Sequence, residues 1–148
     1  FAELCRKINS LGYKSIIFGS PALRKNKTVN YKEIISRLND LILTSTRFGL
    51  TLYFEALPSI YSDILNSHKE LINIQKKIHF DSATFISNGK TLNDLNSILP
   101  FIERFHLSVP GYGMNFTDFP ILKDIYQELI RNKIKGTIEI QNRKKKEK

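Results

Sequence analysis

Short apolar segments alternate with longer amphipathic segments along this chain, and this alternation most strongly constrains its fold. The apolar segments have the length and the Ile, Phe, Thr and Tyr content of β-strands, and they lie at 15–18, 51–54, 78–80, 105–107 and 137–140. Helical spacing of apolar residues predicts helices between them, at 30–48, 59–76, 91–104 and 117–134. Strands that alternate with helices form βαβ units, so the sequence predicts an α/β fold with about five parallel strands.

Residues that commonly begin or end helices support these boundaries. Thr91 and Thr117 precede two of the helical segments and are predicted N-caps. Gly12, Gly49 and Gly136 lie just before strands, where a left-handed residue is expected to end a helix.

The chain has 148 residues, which suggests one domain. A complete (β/α)₈ barrel needs at least about 200 residues. The chain is therefore either an open sheet of five strands or the later part of a barrel that lacks its first strands. We expect one domain at 1–142, followed by a basic tail at 143–148.

Net charge, apolar runs and cysteine content limit the kinds of molecule that the chain is expected to bind. The formal net charge is +9, and the tail carries five positive charges and one negative charge. A basic domain suits a phosphorylated or otherwise anionic substrate, whereas a basic tail alone is a weak signal for nucleic acid. No apolar run is long enough to span a bilayer, so no membrane partner is expected. The single cysteine, Cys5, is interpreted as a small buried or half-buried residue, and it fits a reducing, cytoplasmic compartment.

Four potential metal ligands fall at or near the ends of four successive predicted strands: Glu55, Asp81, His106 and Glu139. Sites in parallel α/β folds form at the carboxyl ends of strands, so these side chains are expected to converge. A single acidic residue after a strand commonly caps a helix, and a single histidine commonly packs in a core. Four in succession favour a shared divalent cation, because buried carboxylates need a partner. Carboxylate and imidazole ligands suit Mn²⁺, Mg²⁺, Co²⁺ or Zn²⁺.

Five segments together resemble a known family, the sugar phosphate isomerase/epimerase group of xylose-isomerase-like TIM barrels. Each segment is short, but all five occur in the family's order at βα spacing. They are FGSPALR at 18–24, FEALP at 54–58 followed by Tyr61, FDSA at 80–83, FHLSVP at 105–110 and TIEI at 137–140. The resemblance implies that the chain supplies strands four to eight of the barrel and that strands one to three are absent.

The resemblance also implies a mechanism. The metal would be held by Glu55, Asp81, His106 and Glu139. It would polarise a sugar carbonyl and the neighbouring hydroxyl. Glu55 and Glu139 would form the base and acid pair that moves the proton next to the carbonyl, through an enediolate. The implied function is a metal-dependent isomerase or epimerase that acts on a sugar or sugar phosphate.

Ser20 and Arg24 would lie at the mouth of the barrel and bind substrate. Arg24 would hold a phosphate or a sugar hydroxyl, or it would be a solvated loop charge. The chain departs from the family's pattern at Ala56, Ser82, Ala83, Thr84 and Val109. These departures leave the four ligands unchanged and bear on the identity of the substrate.

Further hypotheses concern histidines and partners. His68 is interpreted as a surface residue, and His79 as a core residue that alternatively lines the barrel interior. Three histidines are too few for the multi-zinc cluster of the family's DNA-repair branch, so no nucleic-acid partner is expected. The alternative to an enzyme is a non-catalytic or degenerate barrel fragment that binds a ligand or a partner chain. Either would need the missing N-terminal barrel portion or a homo-oligomer to cover its open sheet edges.

Overall fold

The structure, a computed structural model, describes residues 1–19, 24–25, 30–110 and 116–138. Strands alternate with helices along this part of the chain. In chain order the elements are α1 (Ala2–Ser10), β1 (Ser15–Phe18), α2 (Tyr31–Arg47), β2 (Thr51–Phe54), α3 (His68–Ile74), β3 (Ile78–Asp81), α4 (Ser82–Ser87), α5 (Leu92–Ile98), β4 (Ile102–Leu107), α6 (Ile121–Arg131) and β5 (Lys135–Ile138). Two 3₁₀ turns, Leu99–Phe101 and Phe116–Asp118, precede β4 and α6.

Every strand pair that these residues form is parallel. β1 pairs with β2, and β4 lies between β3 and β5, with Asp81 opposite His106. A single parallel bridge between Glu55 and His79 connects the two groups of strands. Strands that follow one another in sequence therefore lie side by side from β1 to β5. The prediction of a mixed α/β fold with parallel strands is confirmed.

The two faces of these strands differ in chemistry, because successive residues of a strand point to opposite sides. Strand residues on one face are apolar and buried: Leu52, Phe54, Ile78, Phe80, Phe105 and Leu107. They form one core with apolar residues of five helices: Leu38 of α2, Leu71 of α3, Phe85 of α4, Leu95 of α5 and Leu129 of α6. Register places Glu55, His79, Asp81 and His106 on the opposite face. The helices thus pack on the apolar face, and the ionisable groups gather on the other.

The predicted strand positions agree closely with the structure at β1 and β2, whose bounds are those expected. β4 begins at Ile102, three residues before the predicted start, because the predicted helix 91–104 ends early. α5 stops at Ile98, and the 3₁₀ turn that follows contains Pro100, which cannot continue an α-helix. β5 begins at Lys135, before its predicted start at residue 137.

The predicted helix at 59–76 is wrong in its first half, since α3 begins only at His68. Ser67 and Glu70 form a reciprocal capping box that starts the helix there. Upstream, the Asn66 side chain donates hydrogen bonds to the carbonyls of Leu57 and Ser62. Polar side chains that bond to the backbone in this way compete with helix formation.

The predicted helix ends are partly confirmed. The Thr91 N–H donates to the Asp94 carboxylate over 2.9 Å at the start of α5, whereas Thr117 lies in a 3₁₀ turn and does not cap α6. Gly12 and Gly49 have φ angles of +84° and +68°, as expected after helices. Gly136 is not a helix end but a residue of β5, where a Cβ atom would collide with Phe105.

No helix within the described ranges is long and apolar enough to cross a bilayer. Cys5 is completely buried in α1, which confirms its interpretation as a small buried residue. The cytoplasmic location and the domain boundary at residue 142 remain predictions, and the basic tail lies outside the described residues.

The interpretation of His68 as a surface residue is wrong. Its side chain lies in the core, with 5% of the residue exposed, and its ring stacks on Phe80 at a centroid distance of 5.0 Å. Phe85 packs edge-on against the same ring at 5.7 Å. Burial lowers the pKa of His68 to about 4, so the imidazole is neutral at pH 7.

We expect the burial of His68 to make the protein sensitive to mild acid. The unfolded state binds a proton on this histidine near its ordinary pKa of 6.5, whereas the folded state resists protonation until about pH 4. The contribution of His68 to the free energy of unfolding is therefore fully present above its ordinary pKa and is lost as the pH is lowered. We expect this loss to be about 2 kcal/mol between pH 7 and pH 5.

Denaturant unfolding at pH 7 and pH 5 tests this expectation. His68→Phe keeps an aromatic ring between Phe80 and Phe85 but cannot titrate, so its stability should fall less over this interval than that of the wild type. An equal fall in both proteins would contradict the assignment to His68.

Candidate metal centre

Three of the four predicted metal ligands lie together at the carboxyl ends of successive strands. Glu55 follows β2, Asp81 ends β3, and His106 is the next-to-last residue of β4. His106 Nδ1 lies 3.2 Å from Asp81 Oδ2 and 4.0 Å from Glu55 Oε1. One ligand atom from each residue lies within 4.8 Å of the other two. The parallel register of β3 and β4, which sets Asp81 opposite His106, produces this convergence.

Asp81 is held in place by hydrogen bonds to both of its carboxylate oxygens. Oδ1 accepts from the Thr84 N–H at 2.7 Å, as the N-cap of α4, and Oδ2 accepts from Ser108 Oγ at 3.0 Å. Ser108 is itself fixed by Ser82, whose hydroxyl donates to the Ser108 carbonyl and accepts from its N–H. Burial alone would raise the pKa of Asp81, but the hydrogen bonds from His106 and Thr84 outweigh burial and lower it. The carboxylate is therefore ionised at neutral pH.

Two of the residues that differ from the family's pattern take part in this support. Ser82 anchors Ser108, as described above, and the Thr84 hydroxyl donates to the Ala56 carbonyl at 3.0 Å. Thr84 thereby connects the start of α4 to the segment that follows β2. Both side chains are buried, so their role in the structure is to hold the strand ends together.

Glu55 is positioned through its backbone and through a glycine beside its carboxylate. Its N–H donates to the Phe18 carbonyl at 3.3 Å, and its own carbonyl accepts from Arg24 Nη1 at 2.5 Å. A Cβ atom at Gly19 would collide with Glu55 Oε2. The carboxylate therefore occupies space that exists only because residue 19 has no side chain.

His79 is an additional residue at this centre, which the sequence interpretation placed chiefly in the core. Its side chain is 4% exposed, and its Nε2 lies 3.8 Å from Glu55 Oε1. Its ring centroid is 6.5 Å from that of His106, and its Nδ1 has no hydrogen-bond partner among the described residues. Burial, and then the nearby His106, lower the pKa of His79 to about 4. The signal in the sequence was its position two residues before Asp81, which places both on one face of β3.

The sequence left two roles open for Arg24, substrate binding or a solvated loop charge. The second is wrong, because only 1% of the residue is exposed. Both terminal nitrogens donate to backbone carbonyls, Nη1 to Glu55 and Nη2 to Phe18. Burial lowers its pKa to about 10, so it remains charged at neutral pH. Its predicted role in holding a phosphate or sugar hydroxyl remains a prediction.

Ser20 and Glu139 lie outside the described residues, so their predicted roles in substrate binding and in metal binding and catalysis remain predictions. Among the described ligands, two carboxylates and one imidazole converge on one point. Two like charges at this separation favour a cation between them, and this set of donors fits a divalent metal ion. The fold and the site therefore define an α/β protein with a candidate metal centre at the carboxyl ends of its parallel strands.

Comparison with known proteins shows a likeness in structure and none in sequence. No protein-family model matches the chain, and no curated protein matches its sequence. The solved structure of the apo form of 3-keto-D-glucoside 4-epimerase, YcjR, from E. coli is similar, with a TM-score of 0.69 at 15% sequence identity. The match covers 97% of this chain but 63% of the epimerase chain, so this chain spans less than two thirds of that protein. At 15% sequence identity, this likeness shows only that the two proteins share a similar fold.

Proposed function

We propose that the chain is part of a (β/α) barrel of the sugar phosphate isomerase/epimerase group and serves a divalent-metal-dependent isomerase or epimerase. The observation that carries the proposal is the convergence of Glu55, Asp81 and His106 at the ends of three successive parallel strands. The substrate would be a sugar or sugar phosphate with a carbonyl next to the carbon that changes configuration. The similar epimerase from E. coli is named for a reaction of this kind, at carbon 4 of a 3-keto sugar.

The order of the strands supports a barrel rather than a doubly wound sheet. In a doubly wound sheet the strand order reverses at a switch point, and helices cover both faces. Here the order runs from β1 to β5 without reversal, and the helices share one core on one face. The polar face would then form the inside of the barrel, where strand ends present catalytic groups.

Exposed apolar residues lie beside both outer strands and support the proposal that further strands pack there. Beside β1, an apolar groove of about 560 Å³ is lined partly by Phe1, Leu4 and Ile17, each at least 42% exposed. Beside β5, a groove of about 580 Å³ is lined partly by Tyr126 and Ile138, which are 38% and 50% exposed. We propose that further barrel strands, or a second copy of the chain, cover these edges.

The residues at the centre suit proton transfer beside a carbonyl. A bound divalent ion would supply the polarisation that makes this proton acidic. Asp81 accepts hydrogen bonds from Thr84 and Ser108 and stays ionised, so it suits a ligand with a fixed position. Glu55 has a partly exposed carboxylate on the same face. Among the residues that the structure describes, it is the candidate for the general base. Glu139, which follows β5 in sequence, is the proposed second acid or base.

We expect Mn²⁺-dependent exchange of the substrate proton with solvent. The chain would be incubated with Mn²⁺ in D₂O with a panel of ketoses, ketose phosphates and 3-keto glucosides, and deuterium at the carbon next to the carbonyl measured by NMR. Exchange that needs Mn²⁺ and disappears in Glu55→Gln would support the proposal. Tight Mn²⁺ binding without exchange on any substrate would instead favour the alternative, a non-catalytic barrel fragment that binds a ligand or partner chain.

A further inference from the structure

The buried guanidinium of Arg24 connects the ends of two neighbouring strands. Nη1 donates to the carbonyl of Glu55 at 2.5 Å, and Nη2 donates to the carbonyl of Phe18, the last residue of β1. The guanidinium carbon also lies 5.1 Å from the centre of the Phe18 ring, within the range of a cation–π contact. Arg24 therefore contacts both strands at the point where Glu55 leaves the sheet.

Arg24 is anchored on its other side as well. Its own carbonyl accepts a hydrogen bond from the Asp63 N–H at 2.9 Å, which ties it to the segment between β2 and α3. The carbonyl of Phe18 accepts from the Glu55 N–H in addition to Arg24. Hydrogen bonds thus reach both the N–H and the carbonyl of Glu55, and the backbone of this residue is fixed on both sides.

This geometry requires an arginine. The planar guanidinium offers several donors in a rigid fork and can serve two carbonyls at once. A lysine ammonium is a compact point charge on a flexible stem, which cannot reproduce that arrangement. Arg24 is 1% exposed, and both of its terminal nitrogens donate to the backbone, so its described contacts are directed at the protein itself.

We propose that Arg24 is a positioning residue for the metal site. It fixes the peptide groups on either side of Glu55 and thereby orients the Glu55 carboxylate for metal binding. Arg24 itself does not contact the metal. The inference rests on the proposed metal centre. It differs from the substrate-binding role predicted from the sequence, because it assigns the guanidinium to the strand ends. Loss of a residue that orients a metal ligand typically weakens metal affinity 10- to 100-fold.

The test compares Mn²⁺ affinity in Arg24→Lys and in a control that is destabilised elsewhere. Leu129→Ala removes a completely buried side chain from α6, which packs on β4, and is expected to destabilise the fold away from the candidate ligands. Calorimetry at a temperature where circular dichroism shows both variants folded should give about tenfold weaker Mn²⁺ binding in Arg24→Lys. Leu129→Ala should bind Mn²⁺ as the wild type does.

The outcomes separate this inference from the proposed function. Wild-type protein that does not bind Mn²⁺ would contradict the metal centre itself. Wild-type binding with unchanged affinity in Arg24→Lys, or with an equal loss in Leu129→Ala, would overturn the role of Arg24 alone. Should Arg24→Lys fail to fold, Arg24→Gln takes its place with the same outcomes, because its neutral amide leaves no buried charge without its partners.

Discussion

Replacing Asp81 by Asn is expected to weaken Mn²⁺ binding by more than about 100-fold, since changes to residues that merely orient ligands already cost 10- to 100-fold. The substitution removes one of the two carboxylate charges that the described residues place at the centre. It spares the local fold, because asparagine caps helices as well as aspartate does and can still accept the Thr84 N–H at the start of α4. Calorimetric titration with Mn²⁺ gives the change in affinity, and circular dichroism verifies the fold.

Asp94→Asn is a matched control, since it makes the same chemical change at an exposed helix start. Asp94 accepts hydrogen bonds from the N–H and hydroxyl of Thr91 and lies in α5, which supplies none of the candidate ligands. Its replacement should leave Mn²⁺ affinity unchanged. If Asp81→Asn binds Mn²⁺ like the wild type, the candidate metal centre is wrong.

Gly19→Ala should also impair metal binding, by about 10- to 100-fold, although residue 19 contributes no ligand. The added Cβ would collide with Glu55 Oε2, so the carboxylate must shift, and its other oxygen, Oε1, is the atom that lies 4.0 Å from His106 Nδ1. A displaced ligand loses the geometry on which the affinity of a metal site depends. Mn²⁺ titration of the variant measures the loss.

Gly12→Ala provides the comparison for this prediction. Gly12 has a φ of +84° and open space around its Cα, so alanine there is strained but displaces nothing. That variant should lose about 1–2 kcal/mol of stability, the cost of a left-handed residue, while Mn²⁺ affinity stays the same. Equal affinity in Gly19→Ala and Gly12→Ala would show that the space beside Glu55 does not matter for binding.

The sequence predicted the architecture best where the pattern is local. The apolar segments at β1 and β2 have the predicted bounds, because a short β-rich run between polar segments has few alternatives. The helix predicted at 59–76 failed because the Asn66 side chain competes for backbone groups and Ser67 starts the helix later. Periodicity reports which residues are apolar, but it does not reveal where side chains bond to the backbone.

The positions of Glu55, Asp81 and His106 in the sequence were also enough to predict that these side chains converge. Each lies at or near the carboxyl end of a strand, and parallel pairing sets those ends side by side, so spacing by βα units implies convergence. The predicted surface position of His68 was wrong, because the burial of a side chain depends on residues that are distant from it in sequence. A histidine at the start of a polar-looking helix gives no local sign that Phe80 and Phe85 will enclose it.

The sequence by itself determined the alternation of strands and helices, the parallel pairing, and three ligands at neighbouring strand ends, because these follow from periodicity and spacing along the chain. Only the tertiary structure decided what surrounds those ligands. The approach of His79 to Glu55, the fork of Arg24 between two carbonyls and the space beside Gly19 depend on contacts between segments distant in sequence. Such contacts are set by strand register and packing, which no local pattern specifies.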